Sequence, residues 1–264
     1  MTDDALLRLG AFFGIFLLMA AWEIAAPMRA RALGRGGRWA TNWGMGLLNS
    51  GLTFVMKAGL GAAAVLAALD ATALGIGLFH MIDLPLWIEV VVVFVILDFA
   101  IWFQHWASHK IPILWRLHRV HHVDRDIDVT TAIRFHPIEI GLSMLFKIAL
   151  VYALGAPVAA VILFEVVLNG AAMFNHANIR LPKAVDRWLR LAVVTPDMHR
   201  VHHSIDRVEH DTNFGFNLSV WDRLFGTYTD QPVGGHDGMT IGLADHQDRA
   251  PARLGWSLAF PFRR

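Results

Sequence analysis

The sequence contains no cysteine among its 264 residues. This absence excludes disulfide bonds, thiolate-ligated zinc and cysteine-bound iron–sulfur clusters, so any metal must be held by nitrogen and oxygen ligands. The G-x-G-x-x-G fingerprint of dinucleotide binding is also missing. We therefore expect no fused electron carrier, and a redox reaction would need an external electron donor or a separate electron-transfer protein.

Charge is scarce as well. Charged residues make up 17% of the chain, hydrophobic residues make up 55%, and the mean hydropathy is +0.45. These values are typical of an integral membrane protein. The formal net charge of +1 gives no indication of a nucleic-acid partner.

The N-terminal segment predicts a retained membrane span. Its acidic start, MTDD, lacks the basic residues of a secretory signal and precedes the apolar run LGAFFGIFLLMAAW. Four arginines follow this run and are interpreted as topological charges that keep their loop in the cytoplasm: Arg29, Arg31, Arg35 and Arg38. The N-terminus is then expected outside an inner membrane of the bacterial type or its equivalent.

Apolar runs at 43–69 and 85–106 predict two more spans, with an external turn or interfacial segment at 70–84. Runs at 138–154 and 157–174 are short and predict either a re-entrant hairpin or two thin spans. The expected fold class is an all-α integral membrane protein, a bundle of about four to five transmembrane or re-entrant helices with a cytoplasmic, histidine-rich, metal-binding cap. Three regions are expected: membrane spans in 1–84, a catalytic domain in 85–230 and a cytoplasmic tail in 231–264.

Histidine patterns carry the chemistry of this sequence. HRVHH occurs at 118–122 and again at 199–203, and HWASH occupies 105–109. Residues four apart share a helix face, whereas adjacent residues differ by about 100° of rotation, so each HRVHH can give ligands to two neighbouring ions. The predicted ligands of a two-metal site are His105, His109, His118, His121, His122, His176, His199, His202 and His203. His136 stays unassigned, and His80, His236 and His246 are interpreted as ordinary surface or interfacial residues.

The metal's identity is open at this point, since imidazole suits zinc, copper, iron and nickel. Three polar residues in the apolar runs, Asp98, Glu165 and Asn169, lie at helical spacings from His105 or His176. Ionisable groups at such depth are costly, and a ligand histidine is commonly oriented by an oxygen acceptor. We therefore predict that these three residues orient the ligand imidazoles.

The ordered histidine patterns resemble those of the membrane-bound fatty acid hydroxylase and sterol desaturase superfamily. The resemblance rests on residues 97–140, on FNHANI at 174–179 and on 195–228, which ends in DTNFGFNLSVWDRLFGTY. It implies a di-iron site with the nine histidines as iron ligands and zinc as a substitute, and a reaction of O2 with a lipid. The 195–228 region is most similar to alkylglycerol monooxygenases, which adds a pterin-dependent ether-lipid reaction to the expectations.

The leading functional hypothesis is thus a membrane di-iron oxygenase that hydroxylates or desaturates a fatty acyl, sterol, ether or carotenoid lipid. A zinc-dependent membrane hydrolase is the first alternative, although the sequence has no H-E-x-x-H motif to supply its general base. A metal-transport or metal-binding protein without catalysis is the second. That class requires polar ligands along a path through the bilayer, whereas the histidines here are expected to gather at one surface.

Overall fold

The computed structural model describes residues 3–60 and 64–263 of the chain. Helices dominate this described part, in which extended pairing is limited to three isolated bridges. The helices that position the site are α1 (Asp3–Ala25), α2 (Arg35–Leu60), α3 (Ala64–Leu74), α4 (Leu86–Lys110), α5 (Pro112–His122), α6 (Pro137–Leu154), α7 (Val158–His176), α8 (Lys183–Leu189) and α9 (Pro196–His202).

Four helices are long and apolar enough to cross a membrane, namely α4, α6, α7 and the Leu6–Ala25 part of α1. Their number and the helical content confirm the expected class of all-α integral membrane protein. Helices α6 and α7 contain 18 and 19 residues. At about 1.5 Å per residue each is about 28 Å long, which is close to the thickness of a bilayer's hydrocarbon core.

The prediction of a continuous span at 43–69 was wrong in its bounds. Helix α2 begins earlier, at Arg35, and is not among the membrane-capable helices; polar residues such as Asn49 and Lys57 interrupt its apolar run. Residues 61–63 of the predicted span lie outside the described residues. Within the predicted external turn or interfacial segment at 70–84, α3 continues to Leu74 and a 3-10 helix follows at Leu78–His80.

Alanine explains why α3 forms a helix there. Its sequence, AVLAALDATAL, is rich in the residue with the highest helix propensity. Ala64, Ala67, Ala68 and Ala71 follow helical spacing and are all buried. The first three pack in a hydrophobic core with α4, α6 and α7, which includes Phe164.

Two glycines allow the turn after α3 to pack against the connection between α6 and α7. Gly77 has a φ of 103° and Gly155 a φ of 63°, both in the region that favours glycine. A Cβ on Gly77 would lie 2.1 Å from the backbone nitrogen of Gly155. Side chains are therefore excluded from this contact between backbones.

At the opposite end of the bundle, the C-termini of α1 and α7 meet. The backbone amide of Arg180, just after α7, donates to the carbonyl of Ala26, just after α1. Pro27 and Ile179 form a bridge at the same place. The segment 177–263 contains only short helices and covers this end together with α5, and we call this region the cap.

A buried ionic cluster joins α2 to the cap. The guanidinium of Arg38 is fully buried and donates to Asp124 at 2.6 Å and to Asp128 at 2.6 Å. The interpretation of Arg38 as a purely topological charge was therefore wrong, because its partners are carboxylates of the protein. A buried guanidinium requires such partners to offset the loss of its hydration.

Candidate metal centre

The structure brings all nine predicted histidines together at the cap end of the bundle, and each is buried. Their ring nitrogens fall into two groups that could each hold an ion. The first group consists of His105, His109, His118, His122 and His202, and the second of His121, His176, His199 and His203. Four helices supply them: α4, α5, α7 and α9.

Each HRVHH sequence is divided between the two groups. His118 and His122 are four residues apart and lie together in the first group, while His121 turns to the second. In α9 and the residue after it the arrangement is reversed: His199 and His203 share the second group and His202 joins the first. This division follows from the 3.6-residue turn, which places neighbours i and i+4 on one face.

The spacing between ring nitrogens suits ligands of shared ions. His176 Nε2 lies 3.1 Å from His121 Nε2 and 3.1 Å from His199 Nε2, and His105 Nε2 lies 3.1 Å from His118 Nε2. At metal–nitrogen distances of about 2.1 Å, two ligands at angles of about 90° to 110° are about 3.0 to 3.4 Å apart. These separations fit neighbouring ligands on one ion.

In most of these rings, Nδ1 is hydrogen-bonded to an oxygen acceptor on the side away from the cluster. Nδ1 of His105 donates to the Phe214 carbonyl at 2.7 Å, and Nδ1 of His202 donates to the Thr212 carbonyl at 2.7 Å. His121 and His176 make the same kind of bond, to the carbonyls of Arg134 and Ala172. A proton on Nδ1 leaves Nε2 with a lone pair directed into the cluster, which is the tautomer that a metal requires.

Four of the histidines have an Nε2 atom without a protein partner in the described part of the chain. Nε2 of His109, His122, His202 and His203 is buried without a hydrogen-bond partner among the described residues. An unpartnered buried nitrogen is costly, whereas a bound cation would satisfy several of them at once. The donor set therefore fits two metal ions held mainly by imidazole.

The surroundings keep the rings neutral. Burial, followed by the influence of neighbouring histidines, lowers the pKa of His121, His122, His199 and His203 well below the ordinary value. The pKa of His202 is lowered in the same way, with burial as the largest cause. Only the neutral ring can act as a ligand, so the site favours metal binding over protonation near neutral pH.

The prediction that Asp98, Glu165 and Asn169 orient the ligand histidines was wrong. Asp98 accepts from the Trp221 indole at 2.8 Å and from the Leu218 amide. The Glu165 carboxylate pairs with Lys147 and Arg8, and Asn169 donates to the carbonyl of Glu165. Asp98 lies on α4 with His105, and Glu165 and Asn169 lie on α7 with His176. Their side chains nevertheless contact other groups instead of the histidine rings.

Two other carboxylates contact the histidines. Glu139, on the first turn of α6, accepts from Nδ1 of His118 at 2.6 Å, and Asp211 lies 3.3 Å from Nδ1 of His109. Neither belongs to a histidine pattern, and each is distant in sequence from its partner. Only the packing of α6 and of the cap segment against α4 and α5 brings them there, so spacing arguments could not find them.

His210 is a further residue near the site that no sequence pattern indicated. It is buried, its ring stacks on Trp115 at 5.3 Å, and it forms a smaller possible metal group with His109 and Asp211. The expectation that His236 lies at the surface was wrong, since it is 9% exposed and lies beside Asp197.

His136, left unassigned, caps α6 by accepting from the amide of Ile138, and it lies outside both histidine groups. His80 is exposed and His246 is partly exposed, in agreement with their interpretation as surface residues.

A helical membrane protein with two buried groups of histidines is therefore the class that the fold and the site define. Comparison with known families agrees: the family model described as fatty acid hydroxylase matches residues 90–227, which is just over half of the chain. The chain belongs to this family. The region contains all nine histidines.

Individual relatives align with about half of this chain. An ornithine lipid hydroxylase, OlsE, from Rhizobium tropici is 36% identical over 152 residues, which are 56% of this chain and 44% of that protein. The alkylglycerol monooxygenase of Xenopus tropicalis is 30% identical over 132 residues, 50% of this chain and 28% of that protein. A fatty acid hydroxylase, vlmA, from a Lecanicillium species is 30% identical over 150 residues, 52% of this chain and 40% of that protein. The chain thus spans less than half the length of these relatives, and no solved structure matches it.

Proposed function

We propose that the protein is an integral membrane oxygenase that uses O2 and two histidine-bound iron ions to hydroxylate or desaturate a lipid. The observation that carries this proposal is the pair of buried histidine groups, in which Nδ1 of most rings is anchored on an oxygen acceptor and leaves Nε2 directed into the cluster. The relatives are named as lipid hydroxylases and monooxygenases, which supports the same reaction class.

The nine histidines would hold the metal, five around one ion and four around the other. When bound, iron supplies the activation of O2 needed to oxidise an unactivated alkyl carbon. Zinc would occupy the same nitrogens as a substitute. Electrons would come from an external donor, and the alkylglycerol monooxygenase similarity keeps a reduced pterin among the candidate donors.

The contribution of the protein is positioning and exclusion of water. The ring of Phe135 stacks on His121 with centroids 4.4 Å apart, and Phe216 lies 4.9 Å from His105. Phe214 is fully buried against His105 and His202. These rings fix the imidazole orientations and shield the site from water, which suits the oxidation of an apolar chain.

The lipid is proposed to enter from the bilayer, because α4 and α7 carry ligand histidines at the cap ends of membrane-capable helices. The arginines after α1 support a cytoplasmic position for the cap and an outside position for the N-terminus. Among substrates, a polar membrane lipid such as an ornithine lipid or an ether lipid follows from the names of the relatives.

Metal analysis tests the proposal directly. The protein would be purified in detergent from iron-supplemented cells and its metals measured by plasma mass spectrometry, for the wild type, His121→Ala, His202→Ala and the control His246→Ala. We expect about two iron atoms per chain in the wild type and the control, and a loss in the two ligand variants. Absence of bound metal from the wild type would overturn the proposal.

Reductant-dependent O2 uptake separates the oxygenase from a hydrolase or a transport protein that uses the same ligands. It would be measured with lipid extracts, and the products would be identified by mass spectrometry. A protein that binds zinc alone and consumes no O2 would point to hydrolysis or storage instead.

A further inference from the structure

A second site lies in the cap, on the side of α9 that faces away from the histidine groups. It is an open cleft of about 600 Å³ between α8, the end of α1 and the segment around residue 230. Its lining includes Arg180, Lys183 and Arg187. None of the nine candidate metal ligands lines it.

The carboxylates of this cleft are already paired. Asp186 and Asp230 both contact the guanidinium of Arg190, at 2.5 Å each. Asp197 receives a bond from Arg200 at 2.5 Å. Every acidic side chain in the lining therefore has a cationic partner within the protein.

The basic side chains of the rim have no such partners. Within the described part of the chain, Arg180, Lys183 and Arg187 form no ion pair with a carboxylate, and all three are exposed. Arg187 instead lies over the ring of Trp188, at 5.4 Å from its centroid. The mouth of the cleft thus carries three basic side chains without carboxylate partners. Because Asp186 and Asp230 share the one guanidinium of Arg190, the net charge of the lining is smaller than three, but it remains positive, with four basic side chains against three carboxylates.

Two arginines behind the rim are buried with unused donors. Arg200 is fully buried, and its Nε and Nη2 have no hydrogen-bond partner among the described residues. Nε of Arg190, which is 4% exposed, also lacks a partner. Of these two arginines, Arg190 lines the cleft and Arg200 lies behind it. Because buried guanidinium donors without acceptors are costly, an anion in the cleft would be favoured by hydrogen bonding to Arg190 and by the positive charge of both guanidinium groups.

The position of α8 indicates where the anion comes from. Its outer surface carries Val185, Trp188 and Leu189, and Leu191 follows, with exposed fractions of 44%, 65%, 38% and 56%. Apolar residues with a tryptophan beside basic residues are typical of a segment that lies in the membrane interface. The cleft opens beside the cap ends of α1 and α7, so its basic rim lies next to the ends of two membrane-capable helices.

We propose that this cleft binds the anionic headgroup, a phosphate or a carboxylate, of a membrane lipid in the leaflet that faces the cap. The lipid chains would extend along the exposed apolar surface of α8 into the bilayer, and the headgroup would meet the basic rim. This site is separate from the histidine groups, and its ligand binding requires neither metal nor turnover.

The test uses the intact protein as purified in neutral detergent, without O2 or reductant, with bound lipid counted by native mass spectrometry. The probes are phosphatidylglycerol and phosphatidylcholine with identical acyl chains, and inorganic phosphate serves as a competitor. We compare the wild type with Lys183→Gln/Arg187→Gln, and with Lys183→Arg/Arg187→Lys, which retains both charges. The matched control, Arg249→Gln/Arg253→Gln, removes two exposed charges from the C-terminal segment outside the cleft.

We expect phosphatidylglycerol to bind more tightly than phosphatidylcholine. The glutamine pair should weaken phosphatidylglycerol binding about tenfold, while the charge-retaining pair and the control stay near the wild type. Equal loss in the control would overturn the proposal, because a general charge effect would then explain the binding. Full competition by inorganic phosphate at lipid-like concentrations would show a free-anion site instead of a lipid site.

The outcome does not depend on whether the protein is an oxygenase. Lipid binding is measured without O2 or reductant, so a failure of the proposed reaction leaves this binding measurement unchanged. Conversely, loss of selective lipid binding would leave the histidine groups and their metal content untouched.

Discussion

His118 and Glu139 are joined by a hydrogen bond of 2.6 Å, from Nδ1 of the histidine to Oε1 of the carboxylate. The opposite nitrogen of the same ring lies 3.1 Å from Nε2 of His105. The bond therefore connects the first turn of α6 to the interior of the first histidine group. It fixes the tautomer of His118, so that the lone pair on Nε2 is directed into the group.

Replacement of Glu139 should accordingly weaken metal binding without removing a ligand. We expect Glu139→Ala to lower metal affinity about tenfold to a hundredfold, and Glu139→Gln, which keeps an oxygen acceptor, to lower it less. The measurement is iron retained against a graded series of a competing chelator. Glu89→Gln, a partly exposed glutamate at the other end of α4, serves as the control.

An alanine variant at Glu139 that retains iron as tightly as the wild type would remove this residue from the metal site. Equal effects of alanine and glutamine would show that charge, and not the acceptor atom, is what the imidazole requires.

The division of the second HRVHH between the two groups gives a matched pair of neighbouring variants. His202 belongs to the five-membered group and His203 to the four-membered group, although they are adjacent in sequence. We expect each single alanine variant to retain about one iron atom per chain, since each damages one group, and the double variant to retain almost none.

Plasma mass spectrometry of the three purified variants checks this expectation. Loss of both ions in either single variant would mean that the two groups bind cooperatively as one unit. Full retention in both would show that neither histidine is a ligand.

Much of this site was predictable because the helical period is a local property. The spacings of HRVHH and HWASH determine which rings share a face, and the structure divides each HRVHH as that period requires. The membrane-capable helices were visible in the same way, from their length and composition. Asp98 shows the limit of local spacing, because its helical position is correct while its carboxylate meets Trp221.

What the sequence could not provide are contacts between distant segments. Glu139 and Asp211 reach their histidines only after α6 and the cap segment pack against α4 and α5. Arg38 illustrates the same limit. The excess of arginine after α1 predicts the orientation of the chain in the membrane, but it gives no sign that the carboxylate partners of Arg38 lie about ninety residues further along the chain.

Gly77 provides a test of the packing opposite the cap. Because a Cβ there would lie 2.1 Å from the Gly155 nitrogen, and because its φ is 103°, we expect Gly77→Ala to destabilise the bundle by about 2 kcal/mol or more. Gly51→Ala is the control, since nothing lies within 4 Å of its Cβ position and it is within helix α2. Thermal unfolding in detergent should show a lower Tm for Gly77→Ala alone; equal Tm values would contradict the close approach of the two backbones.

The Arg38 cluster leads to the last prediction. Removing the guanidinium leaves Asp124 and Asp128 buried without their main counter-ion, at 2% and 0% exposure. We expect Arg38→Met to lower stability by about 3 to 5 kcal/mol and Arg38→Lys to lower it less, because lysine keeps the charge but cannot make the bidentate bond to Asp124. The control is Arg249→Met, an exposed arginine.

Thermal unfolding of these variants, followed by intrinsic tryptophan fluorescence, measures the effect. The triple variant Arg38→Met/Asp124→Asn/Asp128→Asn separates the two physical causes. If unpaired charge is the reason for the loss, neutralising both carboxylates should recover part of the Tm. If the triple variant is less stable than Arg38→Met, the hydrogen bonds that the two carboxylates accept from Asn42 and Thr130 dominate instead, and Arg38 is a minor part of the junction between α2 and the cap.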